Sequence, residues 1–295
     1  MMVNASGCWD KAQDDHRAYF DKVVGRRLKA SAKVLPAEVV DFLRSNHNLL
    51  RDGSSLDFIR VQRRFNSLLR RSDAFDKNTV IREIGKIFNY DAFSRKSQTT
   101  WDGYSLCAQS TIKTCPYCNL SFTHSVFVDD NGVARPPLDH YFDKSRYPLF
   151  SISLGNLVPS CSHCNTSFKG SKDFLKIKHM HPFEARETLG ISLSVDPIRA
   201  RWDISLLDRA QVVFTGVGSN TRRRNSLTTF SLLDRYKHHR DEAVVIAKGL
   251  CIYADTGFAG SPFEYVTRGV TAENYKDRIF GKMILDLVRY IGVVR

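Results

Sequence analysis

Apolar residues along the first third of this chain recur every three to four positions, the spacing of one buried helix face. Val39, Val40, Leu43 and Leu50 make one stripe behind Pro36, whose fixed φ suits a first helical turn. Phe58, Val61, Phe65, Leu68 and Leu69 make a second, which Ser54 or Ser55 can cap. Val80, Ile81, Ile84, Ile87 and Phe88 make a third, behind Asp76 and Asn78. The polar stretch Ser94–Gly103 has no period and reads as a linker.

The period then shortens. Leu120–Val128 alternates, with aromatic residues, and ends in the turn signal Asp129-Asp130-Asn131-Gly132. A short strand is expected over Ala134–His140, irregular or at an edge because of Pro136 and Pro137. Leu157-Val158-Pro159 is a second, and Ser160 or Ser162 can cap a helix from there to about Phe168, which Gly170 ends. Ile191–Val195 and Val212–Phe214 read as further strands.

Helical spacing returns from about Thr221, with one long helix expected on the stripe Leu227, Phe230, Leu233, Tyr236, Ala243, Val244, Ala247 and Leu250. Thr271 can cap a last helix carrying Ile279, Phe280, Met283, Ile284, Leu287 and Val288. The expected fold class is α+β, mostly helical: a helical region 1–100, a central module 101–185, and a mixed then helical region 186–295.

Composition narrows the function. At 295 residues with 42 % hydrophobic content the chain can bury a core, which excludes a disordered protein. A net charge of +13 points to a polyanionic partner, nucleic acid first and an acidic membrane surface second. Arg60, Arg63, Arg64, Arg70 and Arg71 fit a phosphate track as well as a solvated helix face. Arg222, Arg223 and Arg224 open a helix whose dipole disfavours them, which suits a phosphate or acidic partner there. No run reaches the roughly eighteen apolar residues of a membrane span, and the first residues lack the pattern of a signal peptide. A cytoplasmic protein is expected.

The seven cysteines agree with a reducing compartment, because four of them form two Cys-x-x-Cys pairs, Cys115/Cys118 and Cys161/Cys164, at metal-ligand spacing. Four thiolates close a tetrahedral zinc site that leaves no position for water, so the zinc is structural. His163, inside the second pair, reads as a surface or neighbouring group. Between the pairs lie Asp139 and His140, and Asn165 follows Cys164 directly. A carboxylate and an amide oxygen are hard ligands suited to magnesium or manganese. An adjacent imidazole can take a proton from water at neutral pH. Together these groups suit phosphodiester hydrolysis, whereas an isolated Asp-His dipeptide reads equally as an ordinary hydrogen-bonded pair and Asn156 as a turn residue after Gly155.

The stretch LDHYFDKSRYPLFSISLGNLVPSCSHCNTSFKG resembles the ββα-metal motif of HNH endonucleases, in the variant with Asn at the third position. The resemblance makes His140 the general base, Asn156 the residue that orients the loop and the base, and Asp139 and Asn165 ligands of a catalytic magnesium or manganese ion. It makes Lys169 a phosphate contact, with Arg146 beside it in binding nucleic acid. The cysteines match the structural zinc frequent in the family, and His181-Pro182-Phe183-Glu184 is similar to a downstream His-Pro-aromatic segment of some members. What this implies is a metal-dependent endonuclease acting on DNA, of the kind found as nuclease arms of bacterial anti-phage systems beside a partner ATPase or sensor. The alternative is a zinc-stabilised module that binds nucleic acid or protein without cutting. The expected architecture is a zinc-clipped ββα module between helical flanks.

Overall fold

The computed structural model describes residues 2–71, 76–97, 99–128, 131–184, 188–254 and 261–292. It is mostly helical with small antiparallel sheets, an α+β fold. The helices before the cysteines are α1 (Gln13–Ser31), α2 (Ala37–Ser45), α3 (His47–Asp52), α4 (Ser55–Arg71), α5 (Lys77–Ile87), α6 (Tyr90–Ser94) and α7 (Gly103–Ala108). Their starts follow from local chemistry. Ser54 Oγ accepts from the Asp57 amide while the Asp57 carboxylate accepts from the Ser54 amide at 3.0 Å, a reciprocal cap. Asp76 rather than Asn78 caps α5, accepting from the Asn78 amide at 3.1 Å. The three expected stripes are buried except at three positions: Ile81, one residue around the helix from Val80, is 38 % exposed, and Leu68 and Leu69 are half-buried.

Each of three two-stranded sheets is antiparallel: β1 (Val126–Val128) with β2 (Asn131–Ala134), β3 (Leu138–His140) with β4 (Leu157–Pro159), and β5 (Gly190–Leu193) with β6 (Val212–Thr215). The strand expected over Ala134–His140 is thus divided. Pro136 and Pro137 cannot donate to a ladder, so pairing with β1 stops at Ala134 and pairing with β4 begins at Leu138. Asp139 stands opposite Val158, and His140 opposite Leu157. A π-helical segment, His163–Lys169, follows β4, and the Gly170 amide bonds the Asn165 carbonyl at 3.0 Å. Neither Ser160 nor Ser162 caps it by a side chain; the Cys161 sulfur accepts from the Cys164 amide at 3.4 Å instead.

The remaining helices are α8 (Pro197–Trp202), α9 (Thr221–Thr229), α10 (Leu232–Lys237), α11 (Arg240–Ala254), α12 (Ser261–Thr267) and α13 (Gly281–Ile291). The single long helix expected from Thr221 is therefore three. Ser231 takes a left-handed φ of 44° and breaks the first junction, which lets Phe230 stack on Tyr117 at 4.5 Å and Tyr236 donate to the Cys118 carbonyl at 2.7 Å. Leu232, not Leu233, is buried as a result. Thr271 starts a turn instead of the last helix, its Oγ1 accepting from the Glu273 amide at 3.3 Å. The chain turns again at Phe280, φ 60°, because α13 begins against the Tyr275 carbonyl, where only Gly281 fits.

One buried cluster runs through all three regions. From the N-terminal side, Trp9 donates to the Leu157 carbonyl at 2.9 Å, and Phe58 packs on Phe150 at 4.6 Å. The backbones of Gly53 and Gly155 approach so closely that a Cβ on Gly155 would lie 2.3 Å from the Gly53 carbonyl oxygen. From the C-terminal side, the Asn119 side chain accepts from the Lys282 amide at 2.8 Å, beside the second cysteine of the first pair.

Candidate metal centre and reactive cleft

The sulfurs of Cys115, Cys118, Cys161 and Cys164 all lie within 4.8 Å of one another and are buried. Cys118 and Cys161 are 3.9 Å apart, close to the roughly 3.8 Å that Zn–S bonds of about 2.3 Å impose across a tetrahedron. The donors around them suit thiolates. The Leu120 amide points at the Cys118 sulfur at 3.4 Å, and the Arg235 guanidinium lies 3.3 Å from the Cys164 sulfur. Arg235 also lies over the Phe168 ring at 4.7 Å. Four thiolates around one divalent ion carry net negative charge, and the half-buried Arg235 offsets part of it. The chemistry and spacing of this set fit a structural zinc ion. His163 is exposed and outside it.

Strand β3 and the π-helical segment form one wall of a cleft of about 400 Å³, which holds Asp139, His140, Asn165 and Lys169 together. Their sequence positions span the module; folding makes them neighbours. Asp139 is 2 % exposed, and both carboxylate oxygens are engaged. The Tyr117 hydroxyl donates to Oδ2 at 2.5 Å, and the Lys169 ammonium donates to Oδ1 at 2.9 Å. Burial and the adjacent carboxylate push the Tyr117 phenol up, so it keeps its proton and acts as donor. Lys169 Nζ also donates to the His140 carbonyl at 2.6 Å.

His140 Nε2 lies 2.9 Å from the Ser151 carbonyl oxygen. A carbonyl only accepts, so Nε2 carries the proton and the lone pair of the neutral ring is on Nδ1. Tyr90 meets the ring edge-on at 4.3 Å and fixes its tilt. Burial pushes His140 down to about 3, so the ring is neutral at neutral pH. Asn156 closes the loop between the two strands: its Oδ1 accepts from the Phe142 amide at 2.7 Å, and its Nδ2 donates to the Phe142 and Phe150 carbonyls, each at 3.0 Å. It is fully buried and holds the loop that carries Ser151, hence the partner of His140.

Asn165 is half-buried, and no group among the described residues hydrogen-bonds its side chain. An Asn amide oxygen and a carboxylate that line one cleft are hard donors of the kind that suit magnesium or manganese, although both Asp139 oxygens are already engaged by Tyr117 and Lys169. Arg146 does not line the cleft; it lies 3.6 Å from Asp143 and 3.9 Å from Asp173. The cleft's other cations are Arg135 and Lys144, the latter over the Tyr90 ring at 4.7 Å and 2.6 Å from Asp91.

Tyr90, Arg135 and Arg235 escape a reading by motif because each lies outside it, whereas Lys144 stands inside the motif stretch, four residues after His140. Tyr117 had one signal, its place inside the first Cys-x-x-Cys. His181, of the downstream His-Pro-aromatic segment, is buried and packs on Tyr141 at 4.1 Å, so it belongs to the wall behind the cleft. Compared with known proteins, the chain matches no family model, no curated protein and no solved structure.

Proposed function

We propose that this protein is a metal-dependent endonuclease of the HNH type that hydrolyses phosphodiester bonds in DNA. The observation that carries the reading is the His140 ring: its Nε2 proton is committed to the Ser151 carbonyl, leaving the lone pair on Nδ1 of a residue that lines the same cleft as Asp139 and Asn165. In this reading Nδ1 takes a proton from water, and the resulting hydroxide attacks phosphorus. The scissile P–O bond breaks, and its electron pair stays with the leaving oxygen. Phosphate charge entering the cleft raises the proton affinity of His140, which burial first and the nearby Lys144 and Lys169 second hold low. Asn156 and Tyr90 keep the ring aimed, and Arg135 and Lys144 attract the anionic substrate.

Asp139 and Asn165 would hold a magnesium or manganese ion. Bound there, the ion supplies charge to the departing oxygen. The net charge of +13 supports a polyanionic substrate. The resemblance of the motif extends the proposal to anti-phage defence in company with a partner ATPase or sensor. The test is cleavage of plasmid DNA with magnesium or manganese by the wild type and by a His140→Ala variant that retains zinc. Cleavage is expected to disappear in the variant; undiminished cleavage overturns the assignment.

A second reading is a zinc-stabilised binding module that does not cut. It draws on the Lys169 ammonium, which already occupies one oxygen of Asp139. Salt-dependent DNA binding without cleavage under any divalent ion favours it.

A further inference from the structure

A second cleft, of about 170 Å³, shares a wall with the first. His140 lines one cleft, while Tyr141 and Phe142, the next residues of the chain, line the other. Phe174 belongs to the second cleft, and its ring lies 5.1 Å from the Lys169 ammonium of the first. Four cations converge on it from three segments distant in sequence: Arg60 and Arg63 from α4, Lys178 from the loop after the π-helical segment, and Arg222 from the first turn of α9. The two arginine groups that composition alone leaves as alternatives, phosphate track or solvated face, thus meet at one place.

Charge balance there is unequal. Arg60 pairs with Asp57 at 3.1 Å, and Arg222 with Glu184 at 3.1 Å. Arg63 and Lys178 have no acidic partner among the described residues. Beside the cations lies an apolar rim. Leu56 is 51 % exposed and Ile59 half-buried, an apolar surface that the protein leaves uncovered. Both Glu184 oxygens are engaged, Oε1 by the Ser55 hydroxyl at 2.5 Å and Oε2 by Arg222 at 3.1 Å.

We propose that this cleft binds a nucleotide. Arg63, Lys178 and Arg222 hold its phosphate, and Leu56 and Ile59 receive the flat face of its base. Arg63 and Lys178 are exposed and free to meet a phosphate, and an anion alone would leave the apolar rim uncovered. A nucleotide satisfies both. The ligand is either free or the 5′-phosphorylated end of a strand; the shared feature is a phosphate one sugar away from a base. The site is separate from the metal-capable cleft and stands without the nuclease reading.

Isothermal titration calorimetry tests it, using nucleoside mono- and triphosphates, a dinucleotide with and without a 5′-phosphate, and inorganic phosphate. Wild type is expected to bind a mononucleotide or the phosphorylated dinucleotide about tenfold or more tightly than inorganic phosphate. An Arg63→Ala/Lys178→Ala variant should lose about tenfold or more in affinity while unfolding at the wild-type temperature, since neither side chain has an acidic partner among the described residues. Preference for the mononucleotide identifies a free ligand, and binding confined to the phosphorylated dinucleotide identifies a strand end. No binding, equal binding by the variant, or affinity no better than inorganic phosphate overturns the proposal. His140→Ala should bind the nucleotide as wild type does, so loss of the nuclease reading and loss of this one are separate results.

Discussion

The Lys169 ammonium stands 2.9 Å from the Asp139 carboxylate, with both side chains 2 % exposed. A buried ion pair broken on one side leaves an uncompensated charge, at a cost of about 3–5 kcal/mol. Lys169→Met should therefore lower the stability of the metal-free protein by about that amount. Removing the cation that occupies Asp139 should also strengthen divalent-ion binding, so manganese should raise the thermal midpoint of the variant more than that of the wild type. Equal shifts in the two proteins would show that Lys169 does not compete for the carboxylate.

Tyr117 ties the zinc clip to the cleft, since it lies between two cysteine ligands and donates to Asp139. Tyr117→Phe removes a hydrogen bond to a charged group, worth about 1.5–3 kcal/mol. The variant should keep its zinc, measured by atomic emission, and lose stability by that order together with most of its plasmid cleavage. Zinc loss in the variant would instead make Tyr117 a support for the cysteines.

Zinc removal should have a larger effect. The four sulfurs are buried, and the ends of β4 and the π-helical segment are fastened through them. Chelation, or Cys161→Ser, should abolish cooperative unfolding of the module, because structural zinc contributes folding free energy directly. A sharp calorimetric transition at the wild-type temperature after complete zinc removal would contradict this.

Acid should destabilise the protein through its buried histidines. His16 Nε2 donates to the Ile152 carbonyl and its Nδ1 accepts from the Trp101 indole at 3.2 Å, so protonation at Nδ1 breaks a bond already made. Burial pushes His16 down to about 4 and His181 down to about 3. Folded pKa values below the unfolded value of about 6.5 mean that the unfolded chain binds more protons between the two. This stability is fully present above about pH 6.5 and declines as pH falls toward the folded values, by about 2 kcal/mol per histidine on reaching pH 5. Urea titrations at pH 7.5 and 5 on wild type and His16→Asn measure the share due to His16; an equal pH dependence in the two proteins would contradict it.

Elements whose cause is local were legible in the sequence. The α4 and α5 caps and the stripe of α2 depend on residues a few positions apart. The cysteine cluster was legible because metal geometry restricts ligand spacing. The break at Ser231 was not, since it is set by Phe230 and Tyr236 reaching Tyr117 and Cys118, more than a hundred residues earlier. At the site, motif spacing brought Asp139, His140 and Asn165 to one cleft, while the pairing of Lys169 with Asp139 and the placing of Arg146 against Asp143 and Asp173 depend on side-chain packing that spacing does not encode.

Arg235 and Tyr236, which reach the Cys164 sulfur and the Cys118 carbonyl, have a consequence for synthesis. A ribosome delivers all four cysteines well before it delivers α10. In that interval the metal cluster lacks its neutralising cation and Phe230 has not yet covered Tyr117. The cleft thus matures late in translation, and a chain cut short before α10 would carry every residue of the motif without the framework that holds them in place.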